Sequence, residues 1–334
     1  MPTVTPSAPW LSANMAWNWP LGQAGGTFWL PPQSSSTAQY VDTAFHLILG
    51  IASFFFLLIV TLMAVFVLRY RGRPGTPAQK APTHSTALEL TWSLIPLALV
   101  IIIFATGFYG YMEIRTAPRT AYEIYVVGQK WKWTFRYPNG YEDGELHVPV
   151  DQAVRLTMQS QDVIHSLFIP AFRLKMDVVP GRYTTTWFRA IQPGEYDLVC
   201  AEYCGTGHSD MITKVVVHPP GEFERWLRQA DEQAQSLSPV DAGRRLVTQR
   251  CASCHSVDGT AIPNGGPSFK GIFGQTHTFR NAPPTVVDEN YIRESILDPS
   301  QKIREGYEDR MSTFKGQLTD KQITNIIEYI KSLR

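Results

Sequence analysis

Two apolar stretches dominate the first third of the chain. From Thr43 to Leu68 no residue carries a fixed charge, and Phe54 to Val60 is unbroken hydrocarbon. A second uncharged run extends from Leu90 to Met112. As a helix the first run is roughly 35–40 Å long, enough to cross a bilayer with some tilt. A pair of buried core helices is the alternative, and runs of this length argue against it. Pro96 is expected to bend the second helix.

Beyond residue 112 the pattern changes. Ile124–Val127, Trp131–Tyr137, Glu145–Val150, Val154–Met158, Tyr196–Val199 and Lys214–Val217 alternate or are rich in β-branched residues. Pro138-Asn139-Gly140, Pro180-Gly181 and Pro193-Gly194 punctuate them as turns. Short strands at such spacing predict an all-β sandwich or barrel. In Trp131, Trp133, Phe135 and Tyr137 the aromatics fall on every second position, hence on one strand face. Then Phe223, Trp226, Leu227 and Ala230 fall at helical spacing, as do Ile323, Ile326, Ile327 and Ile330 near the end, where Thr319 or Asp320 is the expected N-cap. The chain therefore reads as multi-domain: an external segment over 1–42, a two-helix transmembrane hairpin over 43–112 (spans 43–68 and 89–112), an all-β domain over 113–220, a linker helix over 221–238 and a helical domain over 239–334.

Charge orients the hairpin. The loop between the spans holds Arg69, Arg71, Arg73 and Lys80, whereas residues 1–40 contain neither Lys nor Arg. Basic residues stay on the cytoplasmic side, so the N-terminus and everything after residue 112 are expected outside. The basic n-region of a secretory signal is not visible at the start. Trp17, Trp19, Phe28 and Trp29 suit a membrane interface or the surface of another subunit. With 30 basic against 29 acidic residues among 334, no global charge points to nucleic acid.

The four cysteines form two close pairs. Cys200, Cys204, His208 and Met211 place two thiols, an imidazole and a thioether within one turn-rich stretch. Soft ligands beside imidazole suit copper, zinc or iron–sulfur chemistry, and the thioether favours copper. A disulfide between Cys200 and Cys204 is the plain alternative. His165, at a predicted strand end, is a candidate ligand from elsewhere in the sandwich. The second pair, Cys251-Ala-Ser-Cys254-His255, has the spacing of covalent c-type haem attachment. A zinc ribbon would need another Cys pair, and no Cys follows Cys254.

The run Cys200-x-Glu202-x-Cys204-x-x-x-His208-x-x-Met211 resembles the dinuclear copper (CuA) loop of cytochrome c oxidase subunit II, and the segments around His165 and Pro180-Gly181-Arg182 resemble the same family. Its fold would be a cupredoxin-like Greek-key domain behind a membrane hairpin. The resemblance implies that the Cys200 and Cys204 thiolates bridge two coppers. His165 and Met211 would complete one, His208 and the Glu202 backbone carbonyl the other. It further implies that the Glu202 carboxylate faces subunit I and binds Mg²⁺, that Trp131 is the electron entry point, and that Glu89 stands at the entrance of a proton path.

Residues 239–334 resemble a class I, all-α cytochrome c. That likeness implies thioether links from Cys251 and Cys254, with His255 and Met311 as axial ligands of one haem c. Ser312 replaces the Pro usual after this Met, and His277 is the other axial candidate. Gly243 would let the first and last helices of this domain cross near Tyr329.

Together these likenesses imply an electron-input subunit of a haem–copper terminal oxidase in a prokaryotic plasma membrane. Its partners would be subunit I, subunit III and an external donor such as a cytochrome c or an upstream respiratory complex. Dioxygen reduction and proton translocation would lie in subunit I. The equivalent subunit of a CuA-type nitric oxide reductase, or a free-standing membrane-anchored electron carrier, is the alternative.

Overall fold

The computed structural model describes residues 26–27, 29–72, 75, 83–263 and 265–334. Trp17, Trp19, Phe28, Arg73 and Lys80, singled out above, lie outside the described residues.

Helices α1 (Ala38–Arg69) and α2 (Thr86–Arg115) form the hairpin. Each exceeds its uncharged run by several residues, because polar flanks add helical turns without entering hydrocarbon. Helix α2 is continuous through Pro96. Gly110 is the point of close approach: a Cβ there would lie 3.2 Å from Tyr40 Cβ, and the Tyr40 and Tyr109 rings meet edge to face at 5.9 Å. Most other apolar side chains of both helices are exposed, as a bilayer or neighbouring helices require.

The β domain is a two-layer sandwich. One sheet has the order β3 (Glu142–Asp143), β2 (Lys132–Arg136), β1 (Tyr122–Gln129), β5 (Ala153–Ser160), β8 (Thr184–Arg189). The other has the order β4 (Leu146–Pro149), β10 (Ile212–His218), β9 (Gly194–Cys200), β6 (His165–Ile169), β7 (Leu174–Val178). Pairs β1–β5 and β4–β10 are parallel and the others antiparallel. Burial follows the strand period of two: Leu156 and Met158 are fully buried on β5 while Arg155 and Thr157 face outward. Trp133, Phe135 and Tyr137 enter the core together, as alternation predicts. Trp131 packs against the same core only partly. It precedes β2 in the β1–β2 turn and is only half-buried, so the period of two no longer governs it.

The sandwich is fastened to the hairpin by a buried ion pair. Arg173, left-handed at φ 53°, donates Nε and Nη2 to the Asp42 carboxylate at 2.7 and 2.9 Å. Both side chains are almost wholly covered, so removing either partner would strand the other's charge.

Helix α3 (Phe223–Ser236) lays Phe223 and Trp226 on the sandwich; the Trp226 ring stacks on His147 at 3.8 Å. After Leu237, Ser238 caps α4 (Pro239–Arg250) by accepting from the Asp241 N–H. Short strands β11 (Thr276–His277) and β12 (Thr285–Val286), α5 (Glu289–Leu297) and α6 (Asp320–Ser332) complete a helical domain. Thr319 is the N-cap of α6 and forms a capping box with Gln322. Helices α4 and α6 cross at Gly243, where a Cβ would lie 1.9 Å from the Asn325 carbonyl oxygen and 2.8 Å from Tyr329 Cβ. Two apolar helices, a cupredoxin-like sandwich and a C-terminal helical domain are thus the three structural parts.

Candidate functional site

The first centre lies where β9 ends and β10 begins. Strand β9 delivers Cys200, the turn after it returns Cys204, the short 3₁₀ turn His208–Asp210 supplies His208, and Met211 precedes β10. His165 arrives from β6, which pairs with β9 through Leu167 and Cys200. The donor atoms of His165, Cys200 and Cys204 lie within 4.8 Å of one another, and His208, Met211 and the Glu202 carbonyl each approach one of the two sulfurs. Cys200 Sγ is 3.9 Å from His165 Nδ1, 3.9 Å from Cys204 Sγ and 3.3 Å from the Glu202 carbonyl oxygen. Cys204 Sγ is 3.5 Å from His208 Nδ1 and 3.9 Å from Met211 Sδ.

Both thiols are free and buried, and their separation is nearly twice an S–S bond length. Burial opposes ionisation of Cys200, but hydrogen bonds from His165 and the Ser166 and Glu202 backbone bring its pKa down to about 6. Burial and the neighbouring Cys200 thiolate push Cys204 up to about 12. Two thiolates at this spacing repel each other and would be held together by positive charge between them. Soft copper ions meet that demand, and the His, thioether and carbonyl donors around the sulfurs fit a copper pair.

Asp162, which carries no metal-binding signal by itself, orients this centre. Its Oδ1 is 2.8 Å from His165 Nε2, leaving Nδ1 toward the sulfurs. Burial works against charge on both groups, yet their mutual bond raises His165 and lowers Asp162. The Asp162-x-x-His165 spacing was the available clue.

Trp131 packs against the same loop. Its Nε1 donates to the Cys204 carbonyl at 3.2 Å. Gly207 makes room for it, since a Cβ there would stand 2.5 Å from Trp131 Cδ2. The Glu202 side chain is exposed on the loop surface.

The second centre is an apolar cavity in the helical domain. Cys251, Cys254, His255 and Met311 line it together with Phe269, Ile292, Phe314 and Ile326. His277 is buried on β11 and does not line it. His255 Nδ1 lies 2.8 Å from the Pro267 carbonyl, and burial lowers its pKa, favouring the neutral ring with a free Nε2. Paired thiols, a neutral imidazole and a thioether on the walls of an apolar cleft fit a covalent haem. Gly266 guards that imidazole: a Cβ would sit 2.3 Å from His255 Cε1.

The two centres share a boundary. Gln129, the last residue of β1, and Lys130, in the turn that carries Trp131, belong to the wall of the haem-type cavity. Lys132 donates to the Arg250 carbonyl, Arg250 pairs with Glu142, and the Arg245 guanidinium stands 4.7 Å over the Tyr141 ring. Glu89, by contrast, lies at the other end of the molecule in the first turn of α2, half-exposed, with Oε1 2.7 Å from His84 Nδ1.

Comparison with known proteins agrees with this division. Residues 23–109 match the family model of the cytochrome c oxidase subunit II transmembrane domain, 139–218 that of its periplasmic domain, and 240–334 that of cytochrome c. Cytochrome c oxidase subunit 2 of Thermostichus vulcanus is 33% identical over 269 residues, covering 63% of this chain and 80% of the relative. The protein of the same name from Alkalihalophilus pseudofirmus is 28% identical over 312 residues, covering 89% of this chain and 88% of the relative. Among solved structures, the periplasmic domain of subunit II of cytochrome oxidase from Bradyrhizobium japonicum matches with 31% identity and a TM-score of 0.34, covering 35% of this chain and 99% of that one. The chain belongs to the cytochrome c oxidase subunit II family: a two-pass membrane subunit with a periplasmic copper domain and a fused cytochrome c domain, feeding electrons into a haem–copper oxidase beside subunit I.

Proposed function

We propose that the cytochrome domain accepts electrons from an external donor and hands them through the Trp131 turn to the copper domain, which passes them to haem in subunit I for dioxygen reduction coupled to proton translocation. The observation that carries this reading is the shared boundary. Lys130 borders the haem-type cavity while the adjacent Trp131 is hydrogen-bonded to the copper loop. Covalent haem would supply a one-electron carrier there, and a copper pair a second that would change little on reduction.

The residues hold these groups. Cys251, Cys254, His255 and Met311 would hold a covalent haem. His165, Cys200, Cys204, His208, Met211 and the Glu202 carbonyl would hold two coppers. The Glu202 carboxylate, exposed beside the loop, binds Mg²⁺ against subunit I, since hard cations prefer oxygen. Tethering both domains in one chain keeps the local concentration of donor high, so docking need not be tight.

Glu89 forms the entrance of a proton path. Its position at the loop end of α2, within reach of water and of His84, supports that role. The bias of basic residues toward that loop supports a cytoplasmic location, with the prokaryotic plasma membrane as host. The complex purified with its partners, subunit III among them, should consume dioxygen when the donor is reduced. Uptake of nitric oxide with no reduction of dioxygen would contradict the proposal.

A further inference from the structure

We propose that the outer end of the second span carries a binding site for the phosphate group of an anionic phospholipid. A cavity of about 140 Å³ lies where α2 meets the sandwich. That is well above the ~10–15 Å³ needed to admit one water. Its lining includes Ile114 and Arg115 from α2, Arg155 from β5, Arg173 just before β7, Lys175 within it, and Trp187 from β8, and no carboxylate.

Not all of this positive charge is available. Arg173 is spent on Asp42, and Lys175 reaches Asp177 at 3.3 Å. Neither Arg115 nor Arg155 has a carboxylate within ion-pair distance among the described residues; Glu123, beside Arg155 in the β1–β5 register, accepts from the Thr157 hydroxyl instead, and Arg115 has the Tyr111 ring at 5.9 Å. Guanidinium forks match phosphate oxygens better than any other side chain does. A second observation points the same way. Trp187 is 8% exposed, and its Nε1 has no hydrogen-bond partner. A buried N–H without an acceptor is costly. Register places Trp187 directly opposite Arg155. The wall thus offers two unpaired cations and an unanswered donor, with the Thr185 hydroxyl beside them. Only an acceptor completes such a set, and an oxyanion serves all of it.

Position selects the source of the phosphate. Arg115 is the last residue of a helix whose apolar run stops at Met112, so it stands at headgroup depth outside the bilayer. Below it Phe104, Phe108 and Tyr111 are exposed on α2 and would accompany acyl chains. A free phosphate would use the arginines and ignore that apolar ridge. A lipid uses both.

The test uses the whole oxidase complex in detergent, stripped of lipid and supplied with phosphatidylglycerol, phosphatidylcholine or inorganic phosphate. Retained lipid is counted by native mass spectrometry, and thermal stability is followed in parallel. The wild type should retain at least one phosphatidylglycerol per complex and gain thermal stability from it, with at least tenfold weaker retention of phosphatidylcholine. The variant Arg115→Gln/Arg155→Gln should lose that difference while its haem and copper spectra stay unchanged. Should the double variant assemble poorly, Trp187→Phe keeps an aromatic ring but loses the N–H and should still weaken retention several-fold, while Arg155→Lys should largely preserve it. Equal stabilisation by inorganic phosphate, equal retention of both lipids, or unchanged retention in the variants would overturn the proposal. An acidic side chain of subunit I filling the cavity would appear as the last of these.

Discussion

The indole nitrogen of Trp131 donates to the backbone carbonyl of Cys204, 3.2 Å away, so one side chain is bonded to the copper loop while its neighbour Lys130 borders the haem-type cavity. Trp131→Ala should therefore slow electron transfer between the domains by about tenfold or more, since small losses of alignment between reacting groups cost that much. Trp131→Phe, which keeps a ring but loses the N–H, should fall between. Rapid-mixing spectroscopy that follows haem oxidation and copper reduction separately measures this. Transfer at the wild-type rate in Trp131→Ala would remove the turn from the route.

Lys132 makes the contact between the domains pH-dependent. Burial, reinforced by the nearby Arg250 charge, brings its amine down to about 7, while it donates to the Arg250 carbonyl and stands 5.4 Å over the Phe314 ring. A lysine freed into solvent titrates near ~10.4. The undocked form therefore binds more protons between about pH 7 and ~10.4, and docking tightens as pH rises through that window. Below pH 7 the amine is charged in both states and the slope vanishes. Protease cleavage at the Leu237–Ser238 junction, faster when the domains part, should decline from pH 7 to pH 9. Lys132→Met should flatten that profile; an identical decline in the variant would assign it to another group.

Asp162→Asn removes the carboxylate that raises and orients His165. Loss of such an outer partner typically costs ~10–100-fold in metal affinity. Copper titration of the full chain against a competing chelator should show a weakening in that range, with haem content untouched. Wild-type affinity would mean that backbone geometry alone holds the ring.

Gly243→Val should destabilise the cytochrome domain by at least ~1–3 kcal/mol, the usual cost of overpacking. The reason is the 1.9 Å approach of the would-be Cβ to the Asn325 carbonyl, which belongs to the backbone and cannot swing aside. Covalent haem yield and thermal melting of the full chain report it, and the copper signal should persist. An unchanged melting temperature would contradict the crossing of α4 and α6.

Much of this was legible in the chain because each part uses a different period. Continuous hydrocarbon marked the spans, alternation marked Trp133, Phe135 and Tyr137, and isoleucines at helical spacing marked α6. The ligand residues stood out because clustered Cys, His and Met have few other reasons to sit together. Less visible were residues whose importance comes from tertiary contact. Asp42 and Arg173, 131 positions apart, are an ordinary acid and an ordinary base until the fold joins them. Asp162 is a turn residue by sequence, and the hydrogen bond from Trp131 to the Cys204 carbonyl has no local signal, although the family resemblance already marked Trp131. The boundary between the two redox domains also had no local signal, because Lys132, Glu142, Arg245 and Arg250 pair only once the domains dock.

The central claim is that one chain holds a copper pair and a covalent haem side by side. Metal and haem analysis of the full-length chain, with electron paramagnetic resonance of its oxidised form, tests it most directly. Two coppers sharing one unpaired electron, and one haem that survives denaturation, are the predicted result. A single copper, zinc in its place, or a disulfide between Cys200 and Cys204 would contradict it.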